Sequence, residues 1–166
     1  MTAIDLRKRV HLFLVFLTLS AYCVADNTED SKWISLNILD TQSIPWDERF
    51  RLILDNLPES SFTSVYAMFP DPWPKTRHAR RRIFSPSMLD KLALCLKTGG
   101  SLRFASDHPV AKSWLLAEVL RNSAFSWTAQ SAKDWRLRPS NWPQSRYMVK
   151  GEHEGRASSW FDFKRN

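Results

Sequence analysis

Apolar residues fall along the chain in two rhythms, one suited to strands and one to helices. Val65-Tyr66-Ala67-Met68-Phe69 is a short unbroken apolar run, as expected of a parallel strand buried on both faces. Trp33 to Leu39 alternates and predicts another strand, and Ser101 to Ser106 a third. Phe125–Ala129 and Ser158–Phe163 read as terminal strands, the latter alternating around Trp160. Helical spacing takes over after Ser85-Pro86, a cap residue followed by proline at the first helical position. Met88, Leu89, Leu92, Cys95 and Leu96 then recur on one face, and Gly99 supplies the expected stop. Asp107, with Pro109 two residues on, starts a second helix carrying Val110, Trp114, Leu115, Val119 and Leu120. Asp47-Glu48 ahead of Phe50, Leu52, Ile53 and Leu54 suggests a further helix start, with acids in its first turn. Strands alternating with helices predict an α/β sheet.

The N-terminus breaks this pattern. Arg7-Lys8-Arg9 precedes an apolar stretch from Val10 to Ala21, and Cys23-Val24-Ala25 then leads into polar Asp26-Asn27. The order fits a secretory signal. It also fits an apolar helix or strand packed into a core, or a segment foreign to the rest of the chain, and these readings are preferred to secretion. The stretch is short for a membrane span.

Composition narrows the class. At 166 residues the chain supports one compact core, and 43% hydrophobic with 13% aromatic residues argues against disorder. A formal charge of +7 suggests a polyanionic partner or a basic soluble surface. Cys23 and Cys95 stand far apart, so no disulfide framework is implied. His11, His78, His108 and His153 show no ligand spacing, and no metal is expected.

Chemistry concentrates between Phe69 and Arg82. Pro70, Pro72 and Pro74 fix φ at alternate residues and remove three donors, which makes a stiff loop rather than helix or central strand. Asp71 and Trp73 are held between them, and Lys75, Arg77, Arg80, Arg81 and Arg82 follow at once. A carboxylate leaving a buried strand beside clustered cations suits an enzyme acting on nucleic acid.

The Phe69–Arg82 block resembles the signature loop of the bacterial tRNA (guanine-N7-)-methyltransferases of the TrmB type. Trp135 to Tyr147, reading Trp-Arg-Leu-Arg-Pro-Ser-Asn-Trp-Pro-Gln-Ser-Arg-Tyr, is similar to that family's C-terminal substrate-binding segment. The resemblance runs from about Asp47 to the C-terminus. It implies residues 47–166 as the C-terminal part of a methyltransferase domain and residues 1–46 as an atypical segment. The fold implied is a class I, Rossmann-like methyltransferase sheet with an antiparallel edge hairpin, N-terminally incomplete. S-adenosyl-L-methionine is the implied cofactor, tRNA the substrate, and the cytoplasm the implied location, with secretion as the alternative from the N-terminus.

Residue by residue, the resemblance makes Asp71 catalytic and also part of the cofactor pocket. Glu48 falls near the position that contacts the cofactor's adenine end, although a helix N-terminal charge explains it too. Lys75, Asp107, Ser145, Arg146 and Tyr147 match substrate-binding positions, and Asp107 also sits where a helix N-cap belongs. Ser145 stands where threonine is usual, and Met148 where glutamate is. Arg77, Arg80, Arg81 and Arg82 are expected on tRNA phosphates or on a solvated basic face. Trp73, Trp135 and Trp142 are expected to anchor loops rather than stack on bases. None of the four glycines (Gly99, Gly100, Gly151, Gly155) lies in the first 98 residues. The glycine turn of a Rossmann-like cofactor site is therefore missing, which leaves a non-catalytic RNA-binding remnant as the alternative.

Overall fold

The computed structural model describes residues 9–15, 20–26, 32–36, 54–142 and 146–166, with side chains in residues 54–142 and 148–166. Seven strands form one sheet in the order β3-β2-β1-β4-β5-β7-β6. They are β1 (Arg9–Val15), β2 (Ser20–Asp26), β3 (Lys32–Leu36), β4 (Phe62–Met68), β5 (Leu96–Ser106), β6 (Phe125–Trp127) and β7 (Ser159–Arg165). The helices are α1 (Pro86–Cys95), α2 (Pro109–Arg121), the single turn α3 (Lys133–Arg136) and α4 (Arg146–His153). A 3₁₀ turn spans Thr76–Arg81. Among the described residues, no helix is long and apolar enough to cross a membrane.

β4 is the expected doubly covered strand, parallel to β1 on one side and to β5 on the other. Val65 and Ala67 face α1 and α2 across the larger core, together with Leu102, Phe104, Phe161 and Phe163. Tyr66 and Met68 face the opposite way, into a smaller cluster with Ala105, Trp142, Met148 and Trp160. A register shift between Phe62 and Ser64 puts Phe62 on the larger core despite its parity. β7 lies antiparallel between β5 and β6, so this edge of the sheet is antiparallel, as the resemblance implies.

The apolar N-terminal stretch is divided between β1 and β2, which pair antiparallel, as do β2 and β3. Four residues join β1 to β2, and four can close a hairpin but not the crossover that parallel strands require. The expected strand beginning at Trp33 is β3. Of the helix expected from Asp47, only Leu54 and Asp55 lie within the described residues, and both are helical.

Two local expectations need correction. α1 begins as read, with the Ser85 hydroxyl accepting from the Met88 amide at 3.3 Å and proline in the first turn. Such a cap stabilises a helix by about 1 kcal/mol. The helix ends at Cys95 rather than Gly99, because fully buried Leu96 turns extended and enters β5 directly. Gly99 instead takes φ +74° within β5. Next to it, a Cβ on Gly100 would lie 2.7 Å from the Lys97 carbonyl oxygen. The second correction concerns Asp107, which does not cap α2. His108 does, its Nδ1 accepting from the Val110 amide at 3.2 Å.

Sequence pattern did not reveal one polar row. Tyr66, Arg103 and Asp162 are register partners on β4, β5 and β7. Arg103 donates through Nε to Asp162 Oδ2 at 2.9 Å and through Nη1 to the Tyr66 hydroxyl at 2.5 Å. Its guanidinium lies over the rings of Tyr66, at 5.3 Å, and Trp142, at 5.9 Å. Burial alone would lower the arginine's pKa; the Asp162 carboxylate and Tyr66 outweigh it and hold the charge.

Candidate nucleic-acid interface

β4 and β5 run parallel and in register, Met68 beside Ala105, so the loops leaving them emerge side by side. Ligands bind at such carboxyl ends in open α/β sheets. The proline-rich loop leaves β4 at Phe69, which is buried, adopts φ +53° and donates its amide to Ala105 O at 2.8 Å. Asp71 follows as an exposed residue. The surrounding loop still removes enough water from its carboxyl to move its pKa up from the ordinary 3.8. A raised acid disfavours the folded state once ionised. Its effect on stability is therefore nil below about pH 3.8 and grows unfavourable as pH rises through the folded-state pKa.

Trp73 adopts φ +36°, a left-handed conformation that costs a non-glycine residue roughly 1–3 kcal/mol. Its ring meets His78 edge-on at 5.5 Å, and the Arg81 guanidinium stands 4.8 Å from the ring centre. Its carbonyl accepts from Arg82, from Nη2 at 3.2 Å and Nε at 3.4 Å. Arg82 is half-buried and lies 5.6 Å over Trp114 of α2.

The basic segment is thus the 3₁₀ turn, opened by His78 N donating to Lys75 O at 2.9 Å. Lys75, Arg77, Arg80 and Arg81 are exposed. The Arg77 Nε donates to His78 Nε2 at 3.3 Å. Lys75 and Arg80 make no ion pair among the described residues.

Asp107 follows β5. Its Oδ2 accepts from Arg156 Nε at 2.6 Å, and α4 approaches it through Gly151, where a Cβ would stand 2.6 Å from the same oxygen. A side chain at this position would have to push the carboxylate away from Arg156, which glycine avoids. Arg156 and Gly151 escaped the sequence reading, since nothing in local spacing links residues 49 apart. Gly151→Ala is expected to break the Asp107–Arg156 pair and to destabilise by about 1–3 kcal/mol, as overpacking does; urea denaturation checks this.

Arg146 and Tyr147 lie in the first turn of α4, whereas Ser145 and Glu48 lie outside the described residues. Met148 is buried against Trp142 and Trp160, so an apolar contact occupies the place expected of a glutamate. Trp142 packs edge-on to Tyr66 at 5.8 Å and Trp160 at 5.5 Å, and Trp135 stacks on Phe161 at 6.4 Å. All three motif tryptophans therefore have ring partners within the protein. No cluster of three metal-ligating side chains occurs among the described residues.

Residues 19–159 match a family model described as "Putative methyltransferase". The chain is 44% identical over 120 residues to the tRNA (guanine-N(7)-)-methyltransferase of Rhodospirillum rubrum, covering 72% of this chain and 47% of that protein. It is 46% identical over 114 residues to the enzyme of the same name from Azorhizobium caulinodans, covering 69% and 50%. The chain thus spans about half the length of the curated relatives it matches. Among solved structures, the aminoglycoside resistance methyltransferase NpmB1 aligns with a TM-score of 0.39 at 14% identity, over 68% of this chain and 58% of that one.

Proposed function

The chain belongs to the TrmB-type tRNA (guanine-N7-)-methyltransferase family, and from that premise we propose that it acts on tRNA, in methyl transfer to N7 of the variable-loop guanine. The observation that carries the proposal is Asp71, held on a strained loop at the carboxyl end of β4 and followed at once by an exposed basic turn.

Guanine N7 presents a free lone pair, so no base is needed to activate it. What the protein must supply is alignment, together with negative charge near the cation that methylation creates. Asp71 fits both needs, since its carboxylate can accept hydrogen bonds from the guanine edge and stabilise the positive purine. Lys75, Asp107, Ser145, Arg146 and Tyr147 are assigned to the nucleotide around it. Arg77, Arg80 and Arg81 are assigned to phosphates, with Arg80 the freest of the three.

The methyl donor in this reading is S-adenosyl-L-methionine, which supplies an electrophilic methyl group. The described residues fit its site only in part. β1 and β4 are parallel, Val15 beside Met68, and Asp71 emerges next to them. β1 then turns back into antiparallel β2 through four residues, and no glycine precedes Gly99 to let the backbone approach a cofactor. Residues 47–166 therefore carry the acceptor half of the site, and Glu48 is the residue assigned to the donor's adenine end. The antiparallel hairpin favours a second reading, an RNA-binding remnant without transfer.

One experiment separates the two. Undermethylated tRNA is titrated into the chain at several salt concentrations, and labelled methyl transfer is then measured. Salt-dependent binding with label at guanine N7 supports the enzyme. Binding without label supports the remnant, and no binding removes both.

A further inference from the structure

The proline loop cannot hold itself in place. Among the described residues, no backbone–backbone hydrogen bond is made by positions 70–74, and three of those five positions lack an amide donor. Trp73 nevertheless keeps a left-handed conformation, which persists only where its surroundings over-determine it. Those surroundings are Arg82 on its carbonyl and Arg81 and His78 on its ring.

Resting on the reading of Asp71 given above, we infer that Arg82 is a positioning residue: it ties the Trp73 carbonyl to the face of Trp114 on α2 and so fixes the loop that presents Asp71. Two of its donors, Nε and Nη2, are spent on one carbonyl oxygen, and its charge is spread over an indole. That leaves it unlike Arg77 and Arg80, whose side chains are exposed. The latch joins the loop to the larger core, because Trp114 packs there with Leu115 and Ala111. It also explains why arginine and not lysine suits the position. Only a planar fork can both grip a carbonyl and lie flat over a ring.

The test compares Arg82→Lys and Arg82→Ala with Arg80→Ala in the full chain. Hydrogen exchange is followed in the peptide covering residues 69–76, beside tRNA binding across salt concentrations and single-turnover methyl transfer. For Arg82→Lys, loop exchange should accelerate about tenfold while β4 and β5 stay protected. Its tRNA affinity and salt dependence should match the wild type. Its transfer rate should fall about a hundredfold, the cost of misplacing a reacting group. Arg80→Ala should do the reverse, lowering the salt slope by about 1 with the loop unchanged.

Wild-type loop exchange in Arg82→Lys would overturn the latch. So would a weaker affinity with a reduced salt slope, which would make Arg82 a phosphate contact. Should the wild-type chain transfer no methyl at all, the functional reading fails by itself, and the exchange measurement still decides the latch.

Discussion

If the chain transfers methyl to tRNA as proposed, Asp71→Asn is expected to lower transfer by about 10²–10³-fold, to leave tRNA affinity unchanged and to leave the fold at least as stable as the wild type at neutral pH. The magnitude is that of removing one preorganised charge-stabilising group from a site where charge develops. Asparagine keeps the shape of the side chain and its ability to accept a hydrogen bond, so what is lost is the negative charge opposite the methylated purine. The fold should not be weakened, because the loop is held at Phe69 and Trp73 instead and the unfavourable desolvation of the ionised Asp71 carboxylate is removed. Single-turnover transfer beside thermal denaturation tests this. Near-wild-type transfer would show that the carboxylate does not serve the reaction. The wild-type rate should also fall on acidification with a midpoint above the ordinary 3.8 if the ionised carboxylate is the working form as proposed, since loss of water around Asp71 raises its pKa.

Phe104→Ala is expected to destabilise the protein by about 3–5 kcal/mol, the usual cost of deleting a buried aromatic ring. Phe104 lies on β5 with no exposed surface, between strands that pair with it on both sides. It stacks on Phe161 at 4.6 Å and Phe163 at 5.8 Å and meets Phe84 edge-on at 5.7 Å. Three ring partners leave little room for the site to collapse around the gap. At this chain length the melting temperature should drop by roughly 10 °C. A shift of one or two degrees would mean that the sheet and α1 are not packed through this residue.

The local reading succeeded where each signal lay within a few residues. Pro70, Pro72 and Pro74 exclude regular structure whatever the surroundings, and the loop is irregular as expected. Ser85 with Pro86 starts α1 because cap and first turn are a four-residue matter. The same kind of reading failed at the other end of that helix. Gly99 is a plausible stop by type, but the demand of Leu96 for a fully buried place in β5 ended the helix earlier. At Asp107 the expected cap is not made, and the neighbouring His108 makes it instead. The His108 ring accepts from the Val110 amide, while the Asp107 carboxylate accepts from Arg156.

The sequence by itself determined the α/β alternation, the stiff acidic-basic loop after a buried strand, and the family. Each rests on periodicity or on contiguous motif residues. Only the tertiary structure decided which arginine of the basic run turns inward, since that depends on where α2 places Trp114. It alone decided that Arg103 is held by partners 37 and 59 residues away and Asp107 by one 49 away. It also decided that β1 folds back on β2 instead of crossing over. Pairings between distant residues leave no period in the chain; they exist only once strands and helices have set their side chains against one another.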